Sequence, residues 1–192
     1  MTIEIKGNWK KGFAYDVHTL DSVYLGPNEY GYAQFENTYS EMGELVYQLK
    51  NKNDKSTVGK IVDLLEKYKG IEKFDAIIPI PSTKKNRAYQ PVDEIAAELG
   101  ARNGVKVLVG LFTKKAGGPE LKNVNDPDKR KELLKDAISL SGDSDISGQN
   151  VLLLDDLYRS GATLSVATEI LIEEAKVASV SVLTMTKTRV KR

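Results

Sequence analysis

The run Val151-Leu152-Leu153-Leu154-Asp155-Asp156-Leu157-Tyr158-Arg159-Ser160-Gly161-Ala162-Thr163 constrains this chain more than any other stretch. Four aliphatics in succession suit a strand covered on both faces, and the apolar-periodic run over residues 164–174 suits a helix. The acids Asp155 and Asp156 then fall at the carboxyl end of the strand, where open α/β sheets bind ligands. Residues 160–163 form the turn into the helix, where backbone N–H groups and the helix dipole favour a phosphate. A phosphate and a polyhydroxyl group fit there side by side, because the carboxylates can only accept hydrogen bonds.

That is the recognition a ribose 5-phosphate requires. The residues resemble the motif of type I phosphoribosyltransferases that binds phosphoribosyl pyrophosphate (PRPP): an acidic pair followed by a Thr/Ser-Gly-Ala/Gly-Thr phosphate loop. The resemblance gives Asp155 and Asp156 the ribose hydroxyls, directly or through Mg²⁺, and makes them the catalytic acids. It gives the 5-phosphate to Arg159, Ser160, Gly161, Ala162 and Thr163. Arg159 departs from the family, which usually has Thr there, and adds a charge to the loop.

Two rival readings of this stretch fail. A P-loop nucleotidase needs G-x-x-x-x-G-K-[ST], and the only approach to it, Gly59-Lys60, is followed by Ile61. A receiver domain needs most of its α/β unit after the paired acids, and only residues 157–192 follow. The plain alternative is a strand, turn and capped helix with solvated acids.

The rest of the chain supplies the context. Residues 1 to about 36 are rich in Gly and Tyr and broken by turn signals such as Gly26-Pro27-Asn28. Ile3 and Ile5, then Phe13 and Tyr15, mark short alternating strands. Amphipathic helices are expected over residues 39–50 and 56–69. A βα pattern follows: strand 75–80, helix 91–102, strand 105–111, a long polar loop, helix 128–135, strands 137–140 and 151–154, helix 163–175 and strand 179–185. Such alternation predicts a mostly parallel, Rossmann-like sheet with helices on both faces. With 192 residues, 41% of them hydrophobic, the chain is long enough for one core burying roughly 70% of its unfolded surface. The expected organisation is a single α/β domain of the type I phosphoribosyltransferase kind, residues 37–192, with a small amino-terminal hood, residues 1–36, over the acceptor pocket.

A second anion site is expected after the first core strand. Ile80-Pro81-Ser82-Thr83-Lys84-Lys85-Asn86-Arg87 is a Pro-stiffened loop with hydroxyls and cations, although a solvated basic turn is the ordinary alternative. The family resemblance assigns pyrophosphate to Ser82, Thr83, Lys84 and Arg87. More narrowly, Pro79-Ile80-Pro81, the spaced basic residues and Tyr89-Gln90 resemble the competence-associated ComF-type subgroup, as do the segments at residues 12–18 and 43–50. The cysteine cluster that many ComF proteins use for zinc is missing, since the chain has no cysteine. The loop over residues 112–129, with Lys114, Lys115 and the pair Gly117-Gly118, resembles the family's mobile lid over PRPP. An ordinary surface loop has the same length and composition.

The resemblance implies transfer of a phosphoribosyl group from PRPP to a nitrogen nucleophile with release of pyrophosphate, and Mg²⁺ as cofactor, with Asp155 and Asp156 as the metal-facing carboxylates. The acceptor is not named by any motif. A homodimer is compatible with this reading. The alternative function is a non-catalytic PRPP- or nucleotide-binding protein acting in DNA uptake or regulation. Net charge of +1 argues against global adhesion to nucleic acid or membrane, so a nucleic-acid partner rests on local basic clusters alone. No apolar run approaches the roughly 20 residues of a membrane span, and the amino terminus lacks a signal-peptide core. A soluble, cytoplasmic protein is expected. The lone histidine, His18, reads as structural.

Overall fold

In the computed structural model, which describes residues 2–82, 88–114, 138–141 and 145–189, the aliphatic runs become the centre of one sheet. Its strands are β1 (Ile3–Glu4), β2 (Lys11–Val17), β5 (Ala76–Pro79), β6 (Lys106–Val107), β9 (Asn150–Tyr158) and β10 (Ser179–Lys187), in the order β1-β2-β10-β9-β5-β6. All neighbours are parallel except β1 and β2. Two small antiparallel sheets stand outside it: β3 (Thr19–Pro27) with β4 (Ala33–Tyr39), and β7 (Phe112–Lys114) with β8 (Ile138–Leu140).

The alternation of side chains along the strands divides the apolar residues between two cores. Leu152, Leu154 and Leu183 face α1 (Glu41–Asn51), α2 (Thr57–Leu65) and α3 (Pro91–Asn103). Val151, Leu153 and Val182 face α4 (Ala162–Glu173). Helices therefore cover both faces, as the sequence predicts. The helix limits follow from local chemistry. Ser40 caps α1 by accepting the Gly43 N–H at 3.0 Å, with Glu41 and Glu44 in the first turn complementing the dipole. Pro91 opens α3, and Gly104, at φ +66°, closes it.

Four differences from the sequence reading matter. The strand expected over 151–154 continues through both acids to Tyr158, because β10 goes on pairing with it through Thr184↔Asp155, Thr186↔Leu157 and Lys187↔Tyr158. The strand expected over 105–111 shrinks to Lys106–Val107, since β5 offers it only the partners Ala76 and Ile77. The strand expected over 137–140 pairs antiparallel with β7 and stays out of the central sheet. Finally, the segment expected to form a hood divides: β1 and β2 join the central sheet, and only the β3–β4 hairpin stands apart. Burial on both faces of β2 explains the division, with Ala14 in one core and Tyr15 in the other. The helix expected over 128–135 lies outside the described residues.

Candidate active site

The acids sit where the sheet changes width. β5 pairs with β9 only as far as Pro79↔Leu154, with a last bond from the Ile80 N–H to the Leu154 carbonyl at 2.9 Å. From Asp155 onward no strand among the described residues pairs with that edge of β9, while β10 still supports the other. Strand alternation sends Asp155 to the α4 face and Asp156 to the α1 face. Both nonetheless open onto the same end of the sheet. Asp155 Oδ1 accepts the Asp156 N–H at 2.8 Å, which folds that carboxylate back along the strand. Asp156 Oδ2 meets Lys50 Nζ from the last turn of α1 at 2.7 Å, with side chains 16% and 26% exposed. That degree of burial makes the pair more than a surface contact.

Lys50 was not among the residues singled out from the sequence, and it brings others with it. The Thr186 hydroxyl donates to the Asp156 carbonyl at 3.0 Å, and His18 Nδ1 lies 3.1 Å from the same hydroxyl oxygen. A hydroxyl has one proton. With that proton on Asp156, the histidine nitrogen is the donor, so Nδ1 carries hydrogen and Nε2 the lone pair. Burial holds the His18 pKa below its usual value, Lys50 adds to the depression, and Asp156 opposes both. The ring stands edge-on to Tyr39 at 5.4 Å, and Tyr39 stacks on Tyr47 at 5.1 Å. Lys50 directly, and His18 through Thr186, thus meet Asp156 on the α1 side, and the two phenol rings extend from the imidazole. The signal in the sequence was weak: a lone histidine, and a lysine ending an amphipathic helix.

After Tyr158 the chain turns through Arg159 and Ser160, both exposed, into α4. Gly161 is the N-cap, at φ +76° and ψ 0°, and makes no side-chain cap. The turn needs a glycine for two reasons. Its φ is left-handed, and a Cβ there would lie 2.7 Å from Cε2 of Tyr158. The Tyr158 ring is itself fixed, edge-on to Trp9 at 6.4 Å. On the same side, the Asn8 side-chain amide donates to the Ser165 carbonyl at 2.9 Å. The first turn of α4 contains no acid, so the N–H groups of Ala162 and Thr163, which have no partner within the helix, present positive potential to an anion.

Of the expected pyrophosphate residues only Ser82 is described; Thr83, Lys84 and Arg87 lie outside the described residues. Ser82 helps line a cavity of about 310 Å³ with Pro79, Gln90, Asp93, Phe112 and Thr113. Burial raises the Asp93 carboxyl above its usual pKa, and Glu94 reinforces the shift. Of the expected lid, Lys114 ends β7, and Lys115 with the rest of that loop lies outside the described residues.

The family and the fold have counterparts among known proteins. A family described as the phosphoribosyl transferase domain matches residues 48–192, which leaves the β3–β4 hairpin before the matched part. The competence protein ComFC of Bacillus subtilis (strain 168) is 30% identical over 116 residues, 59% of this chain and 45% of that protein. The chain therefore spans less than half of that relative. The crystal structure of adenine phosphoribosyltransferase from Thermoanaerobacter pseudethanolicus superposes with a TM-score of 0.52 at 18% identity, covering 88% of this chain and 84% of that one. At that identity the likeness is one of fold. The fold is the type I phosphoribosyltransferase architecture expected from the sequence, and the ComF-type resemblance has its counterpart in ComFC.

Proposed function

The chain belongs to the phosphoribosyl transferase domain family, and on that premise we propose that it transfers the phosphoribosyl group of PRPP to a nitrogen nucleophile, a base or similar small molecule, with release of pyrophosphate. The observation that carries this reading is the junction of β9 and α4. Two carboxylates at the carboxyl end of a central strand are followed within one turn by a left-handed glycine cap and an acid-free helix start. Asp155 and Asp156 would accept the ribose hydroxyls, and the turn of residues 159–163 would hold the 5-phosphate. Such anchoring fixes the anomeric carbon for in-line displacement. A bond from the acceptor nitrogen forms there as the bond to the pyrophosphate oxygen breaks. Positive charge develops on the ribose as it does so, and a nearby carboxylate stabilises it. Ser82, with Thr83, Lys84 and Arg87, would receive the leaving pyrophosphate.

Mg²⁺ fits the donor chemistry. Among the described residues no three His, Asp or Glu side chains are grouped to hold a metal alone. Mg²⁺ is typically held by one or two carboxylates with substrate oxygens completing its shell, and Asp155 and Asp156 are the carboxylates for it. Bound there, it would neutralise charge on the pyrophosphate. We place the acceptor beside His18, Tyr39 and Tyr47, beneath the hairpin that begins at Thr19. No helix among the described residues is long and apolar enough to cross a membrane, and a cytoplasmic location fits a protein using PRPP.

A second reading is favoured by the Lys50–Asp156 pair and by likeness to a protein named for competence. In it the chain binds PRPP or a nucleotide without turnover, in DNA uptake or regulation. Pyrophosphate release from PRPP and Mg²⁺ across a panel of purine and pyrimidine bases separates the two. Release with any base supports transfer, and saturable PRPP binding without release supports the binding protein. Asp155→Asn with Asp156→Asn is expected to abolish Mg²⁺-dependent PRPP binding in calorimetry while the circular dichroism spectrum keeps the fold, the melting temperature falling only by what the lost Lys50–Asp156 pair contributed. Unchanged affinity would remove the site assignment from both readings.

A further inference from the structure

A second concave site lies at the other end of the sheet. Between the start of β2, the starts of β9 and β10, and the turn after α2 is a cleft of about 350 Å³ lined by Lys10, Lys11, Lys69, Lys73, Tyr68 and Phe74, among others. Its polar floor includes Ser179, whose hydroxyl donates to Asn150 Oδ1 at 2.7 Å. The four lysines come from two separate segments, joined to the cleft by β2 on one side and by the Gly70 turn, at φ +100°, on the other. Among the described residues none of the four is in an ion pair. The two acids of the same turn have other partners. Glu72 accepts the Gly70 N–H at 3.1 Å, and Asp75 accepts the Asn150 N–H at 2.7 Å.

Four ammonium groups around one hollow is a local excess in a chain of net charge +1. Like charges gathered there repel one another, and an anion of several charges relieves that repulsion. Lysines meet phosphates as point charges that need no fixed fork geometry. Two aromatic rings in the same wall add a surface for a base, and Tyr68 is steadied by Phe13 at 5.2 Å. The volume lies within the roughly 300–1,000 Å³ range of small-molecule sites. A nucleic acid calls for a stripe of cations along its backbone, whereas these converge on one hollow. Asn150, which lines the cleft, and Asp156 lie at opposite parts of β9, roughly 20 Å apart at about 3.3 Å per residue. A ligand here leaves the PRPP site free.

We propose that this cleft binds a nucleoside triphosphate, with its phosphates among Lys10, Lys11, Lys69 and Lys73 and its base against Tyr68 and Phe74. The test is calorimetric titration of the full chain with ATP, in saturating ribose 5-phosphate so that the α4 turn is filled. Saturable one-to-one binding is expected, weakened at least tenfold by Lys11→Gln with Lys73→Gln. The same double variant should keep its melting temperature and its affinity for ribose 5-phosphate. Tripolyphosphate is expected to bind more weakly than ATP, because it lacks the base. Absence of saturable ATP binding, or equal affinity in the lysine variant, overturns the site. Tripolyphosphate binding as tightly as ATP overturns the base contact. A single-stranded oligonucleotide that binds, depends on these lysines and is not displaced by ATP would make the surface a nucleic-acid one and overturn the nucleotide assignment.

Discussion

β9 and β3 are strands of equal length, nine residues each, yet they are held in opposite ways. Val151, Leu152, Leu153 and Leu154 are at most 1% exposed, while Leu20, Val23, Tyr24 and Leu25 on β3 are 50% to 60% exposed. β9 is fixed by burial on both faces. The hairpin has cross-strand pairs instead, Tyr24 on Phe35 at 5.4 Å and the Ser22 hydroxyl on Asn37 Oδ1 at 2.7 Å. A lone two-stranded ribbon is marginal in water. Its base is tied down by the bond from the His18 N–H to the Lys187 carbonyl at 2.8 Å and by Arg189 to Asp21 at 3.5 Å. The groups proposed to anchor PRPP thus ride on the rigid strand. The segment placed over the acceptor is the one whose sequence can change at small cost to the fold.

The largest expected effect lies in that contrast. Leu153→Ala should destabilise the protein by about 3–4 kcal/mol, because the side chain is wholly buried against α4 and its loss leaves a cavity. Val23→Ala on β3 should cost under about 0.5 kcal/mol, as for an exposed position. Denaturant melts of the two variants measure both. Similar costs would mean that the hairpin is covered in solution.

Gly161→Val comes next. It forces a β-branched residue into a left-handed conformation, costing about 1–3 kcal/mol, and drives a side chain toward the Tyr158 ring. Ribose 5-phosphate should bind more than tenfold more weakly, or by more than about 1.4 kcal/mol, with Gly161→Ala between wild type and Val. Unchanged affinity by calorimetry would place the anion elsewhere.

What the sequence disclosed follows the same division. The turn at Gly161 was legible because it is local: four aliphatics, two acids, small residues and a periodic helix lie within one stretch. The continuation of β9 through Asp156 was not, because it depends on register with β10. Nor was the Lys50–Asp156 pair, which joins a helix end to a strand end far apart in the chain. The hairpin left no alternating pattern to read, since with both faces exposed nothing selects apolar residues at every second position. Residues 1–36 look like one unit in the sequence because their turns are visible there and the pairing of β2 with β10 is not.

A smaller effect is expected from His18, at the join of the two regions. Its folded pKa is lowered, chiefly by burial and then by Lys50. Above the unfolded value, about 6.5, the ring is neutral in both states and the full stability is present. As pH falls through that value, the unfolded chain takes up the proton first. Stability is then lost progressively until the folded pKa is reached. His18→Gln should flatten this part of the stability–pH curve. An undiminished slope in the variant would assign it to other groups.

The smallest expected change is Leu25→Thr. Leu25 is 60% exposed near the tip of β3, and threonine brings the β-branching that suits a strand. The substitution removes apolar surface that water already covers, so stability should stay within about 0.5 kcal/mol of wild type. PRPP affinity should be unchanged as well, since the residues proposed to bind it belong to β9, the α4 turn and the segment after β5, none of them on the hairpin. Thermal melts and PRPP titration on one preparation measure both quantities. A loss approaching that of Leu153→Ala would show that the exposed aromatic and aliphatic side chains of the hairpin are buried against something in solution. The hairpin would then be held by burial as β9 is, and the division between a rigid anchor and a freely variable cover would fail at its softer end.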